Sequence, residues 1–150
     1  MSIVGTLMPL AYGNDANVVG AKKGPERAWV EEASRLVQLA GTSNADAAQY
    51  KRDVSANRRQ LRALMPPGPK YFSDGNKSHS SRQQLLSSMI VLDALLKSAA
   101  SCQTAGRIVC PATLMSQLHS TLASVRSNLD AYEATLATTS SGARSHDRNP

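Results

Sequence analysis

The chain has 150 residues, 41% of them hydrophobic but only 4% aromatic, and a formal net charge of +6. That length suits one domain with one real core, burying roughly 70% of the surface the unfolded chain exposes. The apolar content, carried by Leu, Ala, Val and Met, favours interleaved helices over an aromatic-rich sandwich or barrel, and the longest apolar stretch, residues 89–96, is broken by Asp93 and falls far short of the roughly 20 residues that span a bilayer.

Residues 1–23 contain Gly5, Pro9, Gly13 and Gly20, which argue against a continuous helix and predict an extended arm. Ile3, Val4, Leu7, Met8, Leu10 and Tyr12, followed by Val18 and Val19, make that arm too apolar for a disordered tail. It is expected to cover a surface, on its own bundle or on a neighbour. Residues 1–12 lack a basic leading region and carry Pro9, so they do not read as a secretory signal, and synthesis in the cytoplasm is the expectation.

A first helix is predicted to open at Gly24 and Pro25, where proline's missing N–H is no loss and Glu26 suits the helix dipole. Trp29, Ala33, Leu36 and Ala40 repeat at helical spacing as its buried stripe, and Gly41 is the predicted stop. A second start is expected at Ser43 or Asn44. Ala47, Tyr50, Val54, Leu61, Leu64 and Met65 form its stripe, interrupted by Asn57 and ended by Pro66, Pro67, Gly68 and Pro69. Residues 70–79 are polar and turn-rich and predict a surface loop.

Ser80 and Gln83 have capping-box spacing and predict the start of a third helix. Its stripe is Leu85, Met89, Leu92, Leu96 and Ala99, which Leu86, Ile90, Val91 and Leu95 widen past a half circle, predicting a central helix covered on several sides. A fourth helix enters through Pro111 and carries Met115, Leu118, Leu122, Val125, Leu129, Tyr132 and Leu136 in a sustained seven-residue repeat. The last two helices read as an antiparallel hairpin. The expected whole is an all-α, small four-helix bundle over residues 24–137, with the arm before it and a flexible polar tail over residues 138–150.

The most suggestive chemistry lies on the second helix. Lys51, Arg52, Arg58, Arg59 and Arg62 project within about a third of its circumference at 100° per residue, a band able to hold phosphates in a salt-dependent way. The plainer reading is a solvated face, or arginines paired with carboxylates of the same bundle; Asp93 is expected to pair with Lys97 or with an arginine across the bundle. Substituting Arg58, Arg59 and Arg62 by Ala is expected to leave the fold intact.

Cys102 and Cys110 sit at the ends of a short connection, near enough in sequence for a disulfide that would staple the hairpin, but in a reducing cytosol two free, partly buried thiols are the favoured reading. Two cysteines supply only half a tetrahedral metal shell, and His79, His119 and His146 do not cluster. Asp74, Asn76 and Ser78 begin like a calcium loop, but His79 and Leu85 stand where glycine and glutamate are required. No cofactor, metal or enzymatic activity is expected.

These features predict a non-catalytic structural or assembly protein that docks into a larger complex through its arm and helical faces, with protein partners or copies of itself. By analogy of architecture, a bacteriophage virion connector or adaptor subunit is one such role. The alternative is a nucleic-acid or polyanion-binding helical module; the third is a helical chaperone or secreted effector using the apolar surface of the third helix.

Overall fold

The computed structural model describes residues 24–65 and 77–148, with side chains described for 24–65 and 80–138. The predicted arm (residues 1–23) and the segment 66–76 lie outside the described residues.

Helix α1, Pro25–Gly41, begins as expected, with Gly24 as its extended N-cap and Pro25 in its first turn. Trp29, Val30, Ala33, Leu36, Val37 and Ala40 form its buried face. The stop is built one residue later than predicted. Thr42 is the C-cap, its backbone N–H and its hydroxyl both donating to the Leu39 carbonyl, and Ser43 takes the left-handed backbone position at φ 57°. Gly41 serves packing instead, because a Cβ there would come within 3.3 Å of the Met115 methyl.

Helix α2, Ala47–Leu64, starts on Asp46, whose carboxylate accepts the Gln49 backbone N–H at 2.9 Å; this replaces the predicted cap at Ser43 or Asn44. Tyr50, Val54 and Leu61 are buried as the stripe predicts. Asn57 does not leave the core face. It is buried, its backbone carbonyl accepts the Trp29 indole N–H at 2.8 Å, and the polar interruption thereby joins α1 to α2.

Helix α3, Lys77–Ala100, starts within the predicted loop, so Ser80 and Gln83 lie inside it and do not form a capping box. Leu85, Leu86, Met89, Leu92, Leu96 and Ala99 are buried. The predicted all-round cover fails at two positions: Ile90 is 49% and Val91 53% exposed. Helix α4, Ala112–Arg148, packs most extensively on α3 and completes a bundle of four helices among the described residues. Leu118, Leu122, Val125 and Leu129 fill the seam as the heptad requires, while Leu136 is exposed.

Between α3 and α4 the chain makes a β-hairpin that the sequence pattern did not announce. Strands β1, Gln103–Thr104, and β2, Arg107–Ile108, pair antiparallel, Gln103 opposite Ile108 and Thr104 opposite Arg107. Ala105 and Gly106, both at positive φ, form the two-residue turn that matches strand twist. The hairpin docks on the α1–α2 connection, where Ala47 N–H donates to the Gly106 carbonyl and Ile108 N–H to that of Ala45, both at 2.9 Å.

Arginine–carboxylate pairs tie the bundle's helices together. Arg35 joins α1 to Asp53 of α2; Arg82 of α3 meets Glu26 of α1 at 2.9 Å and also the Leu64 carbonyl; Arg27 of α1 meets Glu133 of α4 at 2.6 Å; and Arg58 of α2 meets Asp93 of α3 at 2.9 Å. Charge is thus used between helices, with the apolar core beneath.

Candidate docking surface

At 100° per residue the buried positions 47, 50, 54, 57 and 61 centre one face of α2, and Lys51, Arg62, Arg59 and Arg52 span roughly the next 100° outward. All four are exposed. Arg52 donates to Gln49 at 2.8 Å, whereas Lys51, Arg59 and Arg62 have no carboxylate partner among the described residues. Arg58, at the inner border of the band, is part-buried against Asp93. The five predicted cations therefore divide: four face outward, and the fifth is engaged in the α2–α3 seam, as the plainer reading had it.

Among the described residues, carboxylates are committed to other partners. Glu26, Glu32, Asp53, Asp93, Asp130 and Glu133 take part in ion pairs within the bundle, and Asp46 caps α2. Positive charge is consequently left over on one helix face, which concentrates potential there.

Arg58 and Asp93 mark where α2 and α3 touch. On α2, Arg62 lies one turn and Lys51 two turns from Arg58, rotated roughly 20° to 40° toward solvent; on α3, Ile90 and Lys97 lie one turn either side of Asp93, rotated about 40° to 60° outward. The same outer rim thus carries cations and exposed apolar groups. Val91 continues the apolar part toward α4, where it borders a shallow depression with Ser87, Ser88 and Asn128. The sequence pattern contained Ile90 and Val91 but assigned them to the core, because periodicity says which residues share a face and not whether a neighbour covers it.

The two thiols are free cysteines, each half-buried. Cys102 donates toward the Ser98 carbonyl at 3.4 Å and Cys110 toward that of Ala99 at 3.9 Å. Burial pushes the Cys110 thiol up to about 11, with the neighbouring Cys102 adding to the effect. Among the described residues there is no cluster of His, Cys, Asp or Glu that could hold a metal, and no helix is long and apolar enough to cross a membrane. His119 is exposed on α4. Ile3, Val4, Leu7, Met8, Leu10 and Tyr12 of the arm lie outside the described residues, as do Asp74 and Asn76.

Comparison with protein-family models, with curated proteins and with solved structures returns no match to this chain. The functional reading accordingly rests on this chain's own residues.

Proposed function

We propose that the chain is a non-catalytic docking protein that joins a larger protein complex, presenting the outer α2–α3 rim to an acidic partner surface and using its apolar arm as a second attachment. The observation that supports this reading is the coexistence, on the outer α2–α3 rim, of Lys51 and Arg62, which have no carboxylate partner among the described residues, with exposed Ile90. Such a surface matches a partner that offers carboxylates beside apolar side chains: charge speeds and orients encounter, and apolar burial holds the complex. A virion connector or adaptor subunit is one setting in which a small bundle with an arm acts this way.

Light scattering of the purified chain at low and high salt, after removal of nucleic acid, tests the proposal. A defined oligomer or complex that survives high salt, and that is lost on deletion of residues 1–23 while helicity persists, is the expected result. The second reading, polyanion binding, is favoured by the outward cations alone, which from position 51 to 62 extend about 16 Å along α2. It predicts a monomer that retains nucleic acid only at low salt, and that outcome would replace the first reading.

A further inference from the structure

The β1–β2 hairpin brings together two groups that the docking reading does not use. The ladder continues one pair beyond the strands, with Val109 N–H donating to the Cys102 carbonyl at 2.8 Å. Cys102 therefore lies opposite Val109, and Cys110 is the next residue along. Both thiols turn the same way, toward the last turn of α3, where their acceptors are the carbonyls of consecutive residues, Ser98 and Ala99. Two sulfurs anchored to adjacent carbonyls on one side of a hairpin base are neighbours, and the influence of Cys102 on the Cys110 thiol reports the same proximity. Neither residue is enclosed, so a small reagent can reach them.

We propose that Cys102 and Cys110 form a modification site, a dithiol that exchanges with a low-molecular-weight disulfide such as oxidised glutathione to close an intramolecular cystine across the base of the β1–β2 hairpin. One cysteine thiolate attacks the glutathione disulfide, forming a mixed disulfide and releasing one glutathione thiolate. The second cysteine thiolate attacks the protein sulfur of that mixed disulfide and expels the other glutathione thiolate. The two cysteines lose two electrons, the oxidant gains them, and the two thiol protons pass to the two glutathione thiolates. Because the Cys110 thiol is held above its ordinary value, exchange is slow at neutral pH and accelerates as pH rises toward 9.

The cystine would close a short loop containing the Ala105–Gly106 turn. Gly106 and Ile108 in turn hold the start of α2, so the oxidised chain keeps the α1–α2 connection and the α3–α4 hairpin clasped together. This inference is independent of the docking reading.

The test treats the full chain with oxidised glutathione at pH 8.5 and follows free thiols, intact mass and thermal midpoint. The expected product is a chain with no covalent link to another, lacking both free thiols and carrying no glutathione, with a midpoint raised by about 5 °C and restored by dithiothreitol. Cys102→Ser should stop at a glutathione adduct on Cys110 with no such rise. A wild-type chain that accumulates a stable glutathione adduct, links to a second chain, or keeps both thiols under these conditions would overturn the proposal.

Discussion

Arg58 and Arg59 are neighbours in sequence with different surroundings, and substitution should separate them. Asp93 is buried, and among the described residues its Oδ1 has no hydrogen-bond partner and Arg58 is its ion-pair partner, so Arg58→Ala removes the cation that compensates the carboxylate. The expected cost is about 2 to 3 kcal/mol, read as a lower urea midpoint at unchanged m-value. Arg59→Ala, on the solvated face, should stay within about 0.5 kcal/mol. Equal, small effects at both sites would show that the Arg58–Asp93 pair contributes nothing. This contrast also corrects the expectation that Arg58, Arg59 and Arg62 could be replaced together without touching the fold. The residue scale likewise sets an alkaline limit. Burial raises the Tyr50 phenol, whose hydroxyl donates to the Leu36 carbonyl, and the Cys110 thiol. Both groups therefore hold their protons more tightly when folded than when unfolded. Their contribution is complete below the ordinary values of 9.0 and 10.0. It declines as pH rises and the unfolded chain deprotonates first, with the Cys110 share exhausted near 11. Thermal midpoints measured from pH 8 to 11 should fall steadily, and Tyr50→Phe should flatten the upper part of that fall.

Among the elements, the apolar stripes of all four helices were legible in the sequence, because spacing alone decides which side chains share a face. The ends were less so, for reasons that lie outside each helix. Asp46 wins the α2 cap over Ser43 and Asn44 because the hairpin reaches across: Arg107 bridges to Asp46 and its guanidinium donates to the Asn44 carbonyl at 3.2 Å. The hairpin itself carries Ala at a turn position that favours Gly or Asn, so its local signal is weak. Ala105 at φ 53° is strained, and Ala105→Gly should stabilise the chain by up to about 1 kcal/mol in chemical denaturation; a destabilisation would show that the methyl contributes something the turn geometry does not reveal. The end of α4 shows a different mismatch. The Ser88–Asn128 hydrogen bond sets the register of α3 against α4, and counting from it places residue 77 opposite roughly residue 139. The helix nonetheless runs on to Arg148, past Thr138, where the sequence predicts a polar tail. Composition marked where the apolar repeat ends, after Leu136, and not where the helix stops. Deleting residues 139–150 should therefore shift the thermal midpoint by no more than about 2 °C.

For the whole molecule, the formal charge of +6 becomes informative only when the carboxylates are followed to their partners. Most of those described act between helices, where they help fix the bundle, and four of the cations left without a described carboxylate partner, Lys51, Arg52, Arg59 and Arg62, stand on α2. Arg59 and Arg62 are one turn apart, and Lys51 follows the same face, so each raises the energy of the others with no compensating carboxylate among the described residues. If that face exists to meet an acidic surface, it should carry a stability cost in the isolated chain. Arg59→Gln combined with Arg62→Gln keeps helix propensity and removes two of the charges. The double variant should melt higher than the parent at about 0.02 M salt, and the difference should vanish near 1 M, where the screening length shrinks to about 3 Å. The same variant should associate with the partner more slowly, at a rate that depends less on salt. A variant that melts lower at low salt would mean that these arginines are neutralised within the bundle, and the α2 face would then have to be read as part of the fold.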